Sequence, residues 1–462
     1  MKTSNAIWPI YSSVEERCRN PIEIDIYIGR KDVNSTLKSL TISGWRQFQN
    51  VSIEFHSQLT VITGANGSGK SSLLNLLTQH FGWQRNFLGT PRKRRNNGNL
   101  QFFTGIRKFG AMPAGSASIV GTLTYTNDVI AQLQAVHGAQ QYGVGIVNQQ
   151  PLSGTFISSH RPMPFFRPIQ QINTTPFNAD QAYGMYQNES LQRFQGGNTG
   201  TGGVFRLKET LVSLALLGPA SQLSPGDDFA LSYYFGFIEV LRIVLPESLG
   251  FTNISIRQSD VVLETATGNF LIDAASGGVI SLIDLAWQIY AFSKTDHARQ
   301  AERFVVVMDE PENHLHPSMQ RTLLTSLLSA FPQAQFIVAT HSPFMVSSVK
   351  ESAVYALRYA AVTPESSDGE SDEGPDPTKQ VFSERLDVVN RAGSAAEILR
   401  DVLGVPVTVP LWVETQLSSL VDEYRDREIT VESLKELRTR MTELGFGEMY
   451  STALAEVVGV ND

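Results

Sequence analysis

Apolar and polar positions along the chain change period several times, and each change marks an element. The run 37–55, "LKSLTISGWRQFQNVSIEF", alternates on both sides of Gly44 and predicts two strands. A third strand, "LTVITG" (59–64), leads through a glycine-rich loop into "KSSLLNLLTQHF", where apolar residues recur at helical spacing. "RFVVVMDE" (303–310) and "AQFIVATHSP" (334–343) are continuous apolar runs ending in polar residues, the pattern of strands buried on both faces. Helices are predicted near 205–217 and 229–244, paired strands over 252–273, and then a helix, "SLIDLAWQIYAF", opened by "AASGG".

The intervening stretches are weaker. From 82 to 202 Gly, Asn, Gln and Pro are frequent, and strand-like pieces at 116–125 and 145–161 predict strands joined by long surface loops. An alternating "IEIDIYIG" predicts a short strand within the first 36 residues. The segment 363–377 is acidic and nearly free of apolar residues, so a disordered hairpin tip is expected between "AVYALRY" and "KQVFSERL". Amphipathic runs around 394–403, 411–425, 431–444 and 448–458 predict helices. The expected organisation is an N-terminal extension (1–36), an α/β core (37–362) with a β-rich insertion at about 82–270, an acidic loop (363–379), and a strand plus small helical C-terminal domain (380–462).

Composition narrows the function classes. With 42% hydrophobic and 18% charged residues, most of the 462-residue chain can fold around a core. A net charge of −8 excludes a uniformly basic nucleic-acid coat. The cluster Arg92, Lys93, Arg94 and Arg95 remains either a local phosphate-tracking patch or a solvated loop. The nearby Phe87, Phe102, Phe103 and Phe109 are expected to pack rather than to stack on bases. Cys18 is the only cysteine, which excludes an intramolecular disulfide and a zinc cluster and fits a reducing cytoplasm. No stretch approaches the roughly 20 apolar residues of a membrane span, so a soluble cytoplasmic protein without membrane partners is expected.

The chemistry centres on "GANGSGKSS". It follows a strand and opens a helix, the context a phosphate-binding loop requires. Gly64, Asn66, Gly67, Ser68, Gly69, Lys70, Ser71 and Ser72 are the expected contacts of ATP, with Lys70 on the β- and γ-phosphates and the Ser71 hydroxyl on Mg2+. Asp309 ends a buried strand, where its carboxylate would reach the same metal ion, and Glu310 would polarise the attacking water. His341 ends the next apolar run and would sense the γ-phosphate. Taken alone, two acids at a strand end are as readily solvated contacts, and a histidine a satisfied polar group. The glycine-rich loop upstream favours the catalytic reading.

Together, "GWRQF", "GANGSGKSS", "ASGG", "MDEPENHLHP" and "ATHSP" resemble the ABC-type ATPases of the SMC/RecF/OLD branch. The resemblance is nearest to the small prokaryotic ATPases of anti-phage systems such as Septu, retrons and PARIS, and it is specific over about 37–95 and 270–360. It implies an ABC-type P-loop core working as a homodimer or higher homo-oligomer, in which Ser276, Gly277 and Gly278 serve the nucleotide of a neighbouring copy. It also implies Arg46 near the nucleotide, and Glu312, Asn313 and His314 near the dimer seam. A coupling Q-loop is implied at His160 and Arg161, or alternatively at Gln149 and Gln150. Ala275 stands where many relatives have Leu. No long heptad pattern separates the motifs, which excludes an SMC-type arm, and the acids of a fused TOPRIM nuclease are lacking. The resemblance therefore implies a prokaryotic defence ATPase whose effector, a nuclease or toxin, is a separate polypeptide. The alternatives are a RecF-like repair ATPase that binds DNA itself, and an ATP-binding scaffold with negligible turnover. A transporter subunit fits poorly, since Asp309 lies too far downstream of Lys70.

Overall fold

The computed structural model describes residues 35–93, 100–107, 113–161, 165–173, 175–220, 225–361, 379–387 and most of 391–457. The expected N-terminal strand and the acidic hairpin tip lie outside the described residues. The chain divides into two compact units, with the boundary between Ala392 and Gly393.

Among the described residues, the larger unit is built on one mixed sheet of eleven strands. In chain order these are β1 (Leu37–Trp45), β2 (Phe48–Glu54), β3 (Leu59–Gly64), β4 (Ala117–Tyr125), β5 (Ile130–Val136), β6 (Val144–Val147), β7 (Gly154–Ile157), β8 (Phe304–Asp309), β9 (Ala334–Ala339), β10 (Ala353–Ala361) and β11 (Lys379–Arg385). Across the sheet the order is β6-β5-β4-β1-β2-β11-β10-β3-β9-β8-β7.

The two halves of the sheet follow from two hydrophobic patterns. β10, β3, β9, β8 and β7 run parallel to one another. Every residue of β3, β7, β8 and β9 is buried, as expected of strands covered on both faces. Each Val or Leu enclosed there contributes about 1.5–3 kcal/mol. On the other side, β4 and β5 alternate buried and exposed positions and pair antiparallel, with β4 against β1. The strands at 117–147 thus extend the main sheet through β1. They make no separate layer.

Helices cover the parallel half: α1 (Lys70–Thr78), α2 (Ala179–Phe194), α3 (Gly203–Leu217), α4 (Asp228–Val244), α5 (Gly277–Ser293) and α6 (Pro317–Ala330). All fourteen residues of α5 from Val279 to Phe292 are buried, so it is a core helix rather than an amphipathic one. A three-stranded antiparallel sheet (Phe251–Arg257, Asp260–Thr265, Phe270–Leu271) lies before it in the chain. Lys208 of α3, fully enclosed, is joined to that region by an ion pair with Asp273 at 2.5 Å.

Three expectations change. The stretch read as strands and loops between 82 and 202 contains α2, whose buried residues are Ala179, Ala182, Tyr186 and Glu189. A helix that buries so few apolar groups leaves little periodicity. Its start is nevertheless encoded by a capping box between Asn178 and Gln181. The piece 145–161 is two strands, β6 and β7, at opposite ends of the sheet order. β11, assigned from the sequence to the C-terminal domain, lies in the main sheet between β10 and β2.

The second unit is helical. Leu411–Arg425 and Val431–Glu443 enclose Val413, Leu417, Leu420, Val421 and Tyr424 with Leu437, Met441, Ala453 and Val457.

Candidate nucleotide and catalytic site

The carboxyl ends of β3, β9 and β8 lie side by side, and each ends in a residue of the glycine loop, the His341 turn or the Asp309–Glu310 pair. This is the edge of an open α/β sheet at which ligands bind. Gly64, Gly67 and Gly69 have φ of 141°, 80° and 102°, backbone that only glycine adopts without strain. A Cβ on Gly69 would collide with the Gln47 side chain and the Phe48 ring, and one on Gly64 with the Leu357 carbonyl. The loop is therefore threaded between β10 and the β1–β2 turn. α1 begins at Lys70 behind an N-cap glycine that offers no side-chain acceptor, so its first N–H groups remain available to an anion.

Lys70 is buried, and its ammonium donates to the carbonyls of Gly64 (3.0 Å) and Ala65 (3.3 Å). Burial pulls its pKa down to about 8, against the attraction of Glu310, Asp309 and Glu312. The Ser71 hydroxyl donates to Asp309 Oδ2 at 3.0 Å. Asp309 Oδ1 is enclosed and has no hydrogen-bond partner, which is costly unless a cation or donor meets it. Burial pushes the Asp309 carboxyl up to about 6, with the Ser71 bond opposing. A hydroxyl and an orphaned carboxylate oxygen beside a phosphate loop are the donor set Mg2+ takes when phosphates supply further ligands, so the residues fit that ion.

Glu310 follows with φ 46°, a left-handed conformation that is strained for a side chain of its size. Its Oε1 lies 3.6 Å from His341 Nε2. Burial and the Lys70 charge hold the His341 imidazole below its usual range, with Glu310 opposing. A carboxylate and an imidazole thus stand side by side. Glu312, which the family resemblance implies near a dimer seam, has its carboxylate turned inward within the chain: its Oε1 accepts from Thr340 Oγ1 (2.6 Å) and from the His341 backbone N–H (2.9 Å). Its carboxylate fixes the turn that carries His341. The sequence signal was present, since Glu312 closes "DEPE", but nothing local says which way the side chain points.

Topology puts the two candidate Q-loop segments at opposite ends of β7. Ser158 to Arg161 leave the carboxyl end of β7, parallel to β8, and so emerge at the edge that holds Asp309. Gln149 and Gln150 precede β7 and belong to its opposite end. Arg161 Nη2 donates to the carbonyls of Glu310 (3.3 Å), Pro311 (3.0 Å) and Asn313 (3.4 Å). His160 is exposed, and its Nδ1 lies 3.2 Å from the Ser159 hydroxyl.

Ser276 caps α5, accepting weakly from Val279 N–H at 3.5 Å, and is exposed. Gly277 and Gly278 form the first turn, and a Cβ on Gly278 would lie 2.9 Å from Met319 Sδ and 3.5 Å from the His314 carbonyl. The loop therefore borders the 310–319 segment. Arg46, with φ 53°, stacks over Phe87 and Trp45 and bonds through its N–H to Gly105 O at 2.7 Å. From that turn it is Gln47, assigned no role from the sequence, together with Phe48, that approaches the glycine loop. Asn66 is exposed at the crest of the loop, Ser68 is buried and Ser72 half-buried in α1. Of the basic cluster, Arg92 lies over the Phe103 ring at 3.8 Å, and Arg94 and Arg95 fall outside the described residues.

Two family models match the chain: "AAA domain" over residues 39–131, and "AAA domain, putative AbiEii toxin, Type IV TA system" over residues 209–347. The Septu protein PtuA of Bacillus thuringiensis is 26% identical over 198 residues, 40% of this chain and 46% of that protein. The chain is a relative of the Septu and retron ATPases. "Retron Vc95 probable ATPase" of Vibrio cholerae serotype O1 biovar El Tor is 44% identical over 45 residues, 10% of this chain and 9% of that one. "Retron Ec83 probable ATPase" of Escherichia coli is 26% identical over 115 residues, 24% and 21% of the two chains. The matches span less than half the length of these curated relatives. Among solved structures, the SMC head domain from Thermotoga maritima is 14% identical, covering 76% of this chain and 99% of that one at a TM-score of 0.39. The AAA families imply nucleotide binding. Among the described residues no helix is long and apolar enough to cross a membrane.

Proposed function

We propose that the chain is an ATP-hydrolysing enzyme that dimerises on ATP and, as its relatives' names suggest, controls a separate effector in anti-phage defence. One observation carries the hydrolytic reading: the orphaned Asp309 Oδ1 lies beside the Ser71 hydroxyl at the same sheet edge as the glycine loop and the Glu310–His341 pair. Ser71 and Asp309 would hold Mg2+, which when bound neutralises charge on the phosphates. The loop N–H groups and Lys70 bind the phosphate chain. Glu310 orients water and accepts its proton, and His341, held by Glu312 through its backbone, donates to the γ-phosphate.

The exposed signature at Ser276 to Gly278 presents a helix N-terminus, the equipment for a phosphate held by a second copy. Substituting Glu310 by Gln tests this. Turnover should fall while ATP binding persists and an ATP-dependent dimer accumulates, seen by light scattering. Unchanged turnover and unchanged assembly would remove the mechanism, and ATP binding without wild-type turnover would leave a scaffold. A toxic protein encoded beside this chain that co-purifies with it supports the effector, whereas salt-sensitive DNA binding lost with Arg92 and Lys93 supports a repair ATPase.

A further inference from the structure

The segment that follows β8 holds two non-glycine residues in left-handed backbone, Glu310 at φ 46° and His314 at φ 70°. Such backbone persists only where its surroundings over-determine it. Much of what surrounds it comes from the exit of β7. One guanidinium nitrogen of Arg161 takes the carbonyls of Glu310, Pro311 and Asn313, and Arg161 Nη1 returns to Ser158 O at 3.4 Å. Asn313 Nδ2 completes the bracket, donating to Ser159 O (3.2 Å) and to Glu310 Oε2 (3.4 Å).

Behind Arg161 is a second group that the nucleotide chemistry does not use. Asp284, buried in the second turn of α5, accepts from the Tyr186 hydroxyl of α2 and from Gln288 Nε2 (3.1 Å). Arg161, Asp284, Tyr186 and Gln288 line one cavity between the β7 exit and α5. Burial pushes the Asp284 carboxyl up and the Arg161 guanidinium down, and each charge opposes the shift of the other. A half-buried arginine held among carbonyls, in a cavity shared with a buried carboxylate, is costly to assemble, and a hydrophobic contact would serve packing as well.

We infer that Arg161 is a positioning residue for hydrolysis: it fixes the Glu310 backbone so that the carboxylate is aimed, and the charge of Asp284 across the shared cavity stabilises its guanidinium, which joins the helix opened by Ser276 to the catalytic carboxylate. The inference rests on the hydrolytic reading above. A carboxylate displaced by a fraction of an ångström loses rate without losing substrate, so Arg161 acts on kcat and leaves nucleotide affinity alone. Lysine keeps the charge but has no second nitrogen to bond Ser158 O while the first holds the carbonyls of Glu310, Pro311 and Asn313.

The test compares R161K, D284N and the wild type by steady-state turnover, by binding of a fluorescent ATP analogue, and by hydrogen exchange of residues 310–314. R161K should lower kcat about 100-fold, keep the dissociation constant of the analogue within about twofold, and speed exchange in the segment. D284N should shift all three readings in the same directions by less. Where R161K fails to fold, D284N, which keeps the shape and one of the two acceptor oxygens, makes the comparison. Wild-type kcat in the folded variant, or a loss of affinity equal to the loss of rate, overturns the inference. Absence of turnover in the wild type overturns the hydrolytic reading instead, and exchange that R161K leaves unchanged then removes the clamp as well.

Discussion

Two loops at the candidate site differ in how they are held. The segment from Glu310 to His314 is strained at both ends and gripped by Arg161, by Asn313 and through Glu312. The loop from Ala274 to Gly278 has one weak cap bond and an exposed serine. Strain can be maintained only by a network, so the first loop is preassembled. The second puts an exposed serine at the start of a helix. Under the proposed mechanism the first belongs to the chain's own nucleotide and the second to that of another copy.

The sharpest way to break this contrast is to disable each loop. Glu310→Gln should reduce turnover by about 10²–10⁴-fold while ATP binding and assembly persist. Ser276→Trp should lose turnover comparably, keep ATP binding, and abolish ATP-driven assembly. Loss of nucleotide affinity in Ser276→Trp, by calorimetry, would show that the signature serves its own site. Next in size is Glu312→Ala, which strands the Thr340 hydroxyl and the His341 N–H and should cost about 1–3 kcal/mol in urea denaturation; no change would show that the turn is held from elsewhere.

Glycine substitutions give a smaller, opposed pair. Gly69→Ala meets Gln47 and Phe48 at φ 102° and should destabilise by about 1–3 kcal/mol. Gly278→Ala meets the flexible Met319 and gains about 0.5–1 kcal/mol of helix preference, so its melting temperature should hardly move. Equal shifts would erase the distinction.

The smallest effect concerns His80, at the end of the glycine-loop helix, bonded to Leu77 O (2.8 Å) and Tyr125 Oη (2.9 Å). Burial holds its imidazole below the ordinary 6.5. The unfolded chain therefore takes a proton that the folded chain resists, so stability is full above about pH 6.5 and declines as pH falls below it. His80→Gln should flatten that part of a stability-versus-pH curve.

Local sequence showed much of the site's backbone. β3 spans Leu59–Gly64 as its apolar run predicts, the glycines fall where φ turns positive, and Ser276 caps its helix. These features depend on neighbours in the chain, through hydrogen-bonding period and backbone freedom. What stayed hidden depends on distant partners. Gly154 pairs with Val305, Gln47 meets Gly69, and Arg161 reaches Glu310 across 149 positions. Periodicity says that a face is buried, never against what. α2 was missed for a related reason, since a polar helix under a sheet buries too little to show a stripe.

By itself, then, the sequence determined the glycine loop, the acids and histidine that end buried strands, and the α/β class, because each is set within a dozen residues by dihedral limits and hydrophobic period. Only the tertiary structure decided that Glu312 turns inward, that Arg161 rather than Gln149 or Gln150 reaches the Glu310 loop, and that β11 joins the main sheet. Those outcomes follow from which strand lies beside which, and pairing across hundreds of residues is settled by the free energy of the whole core.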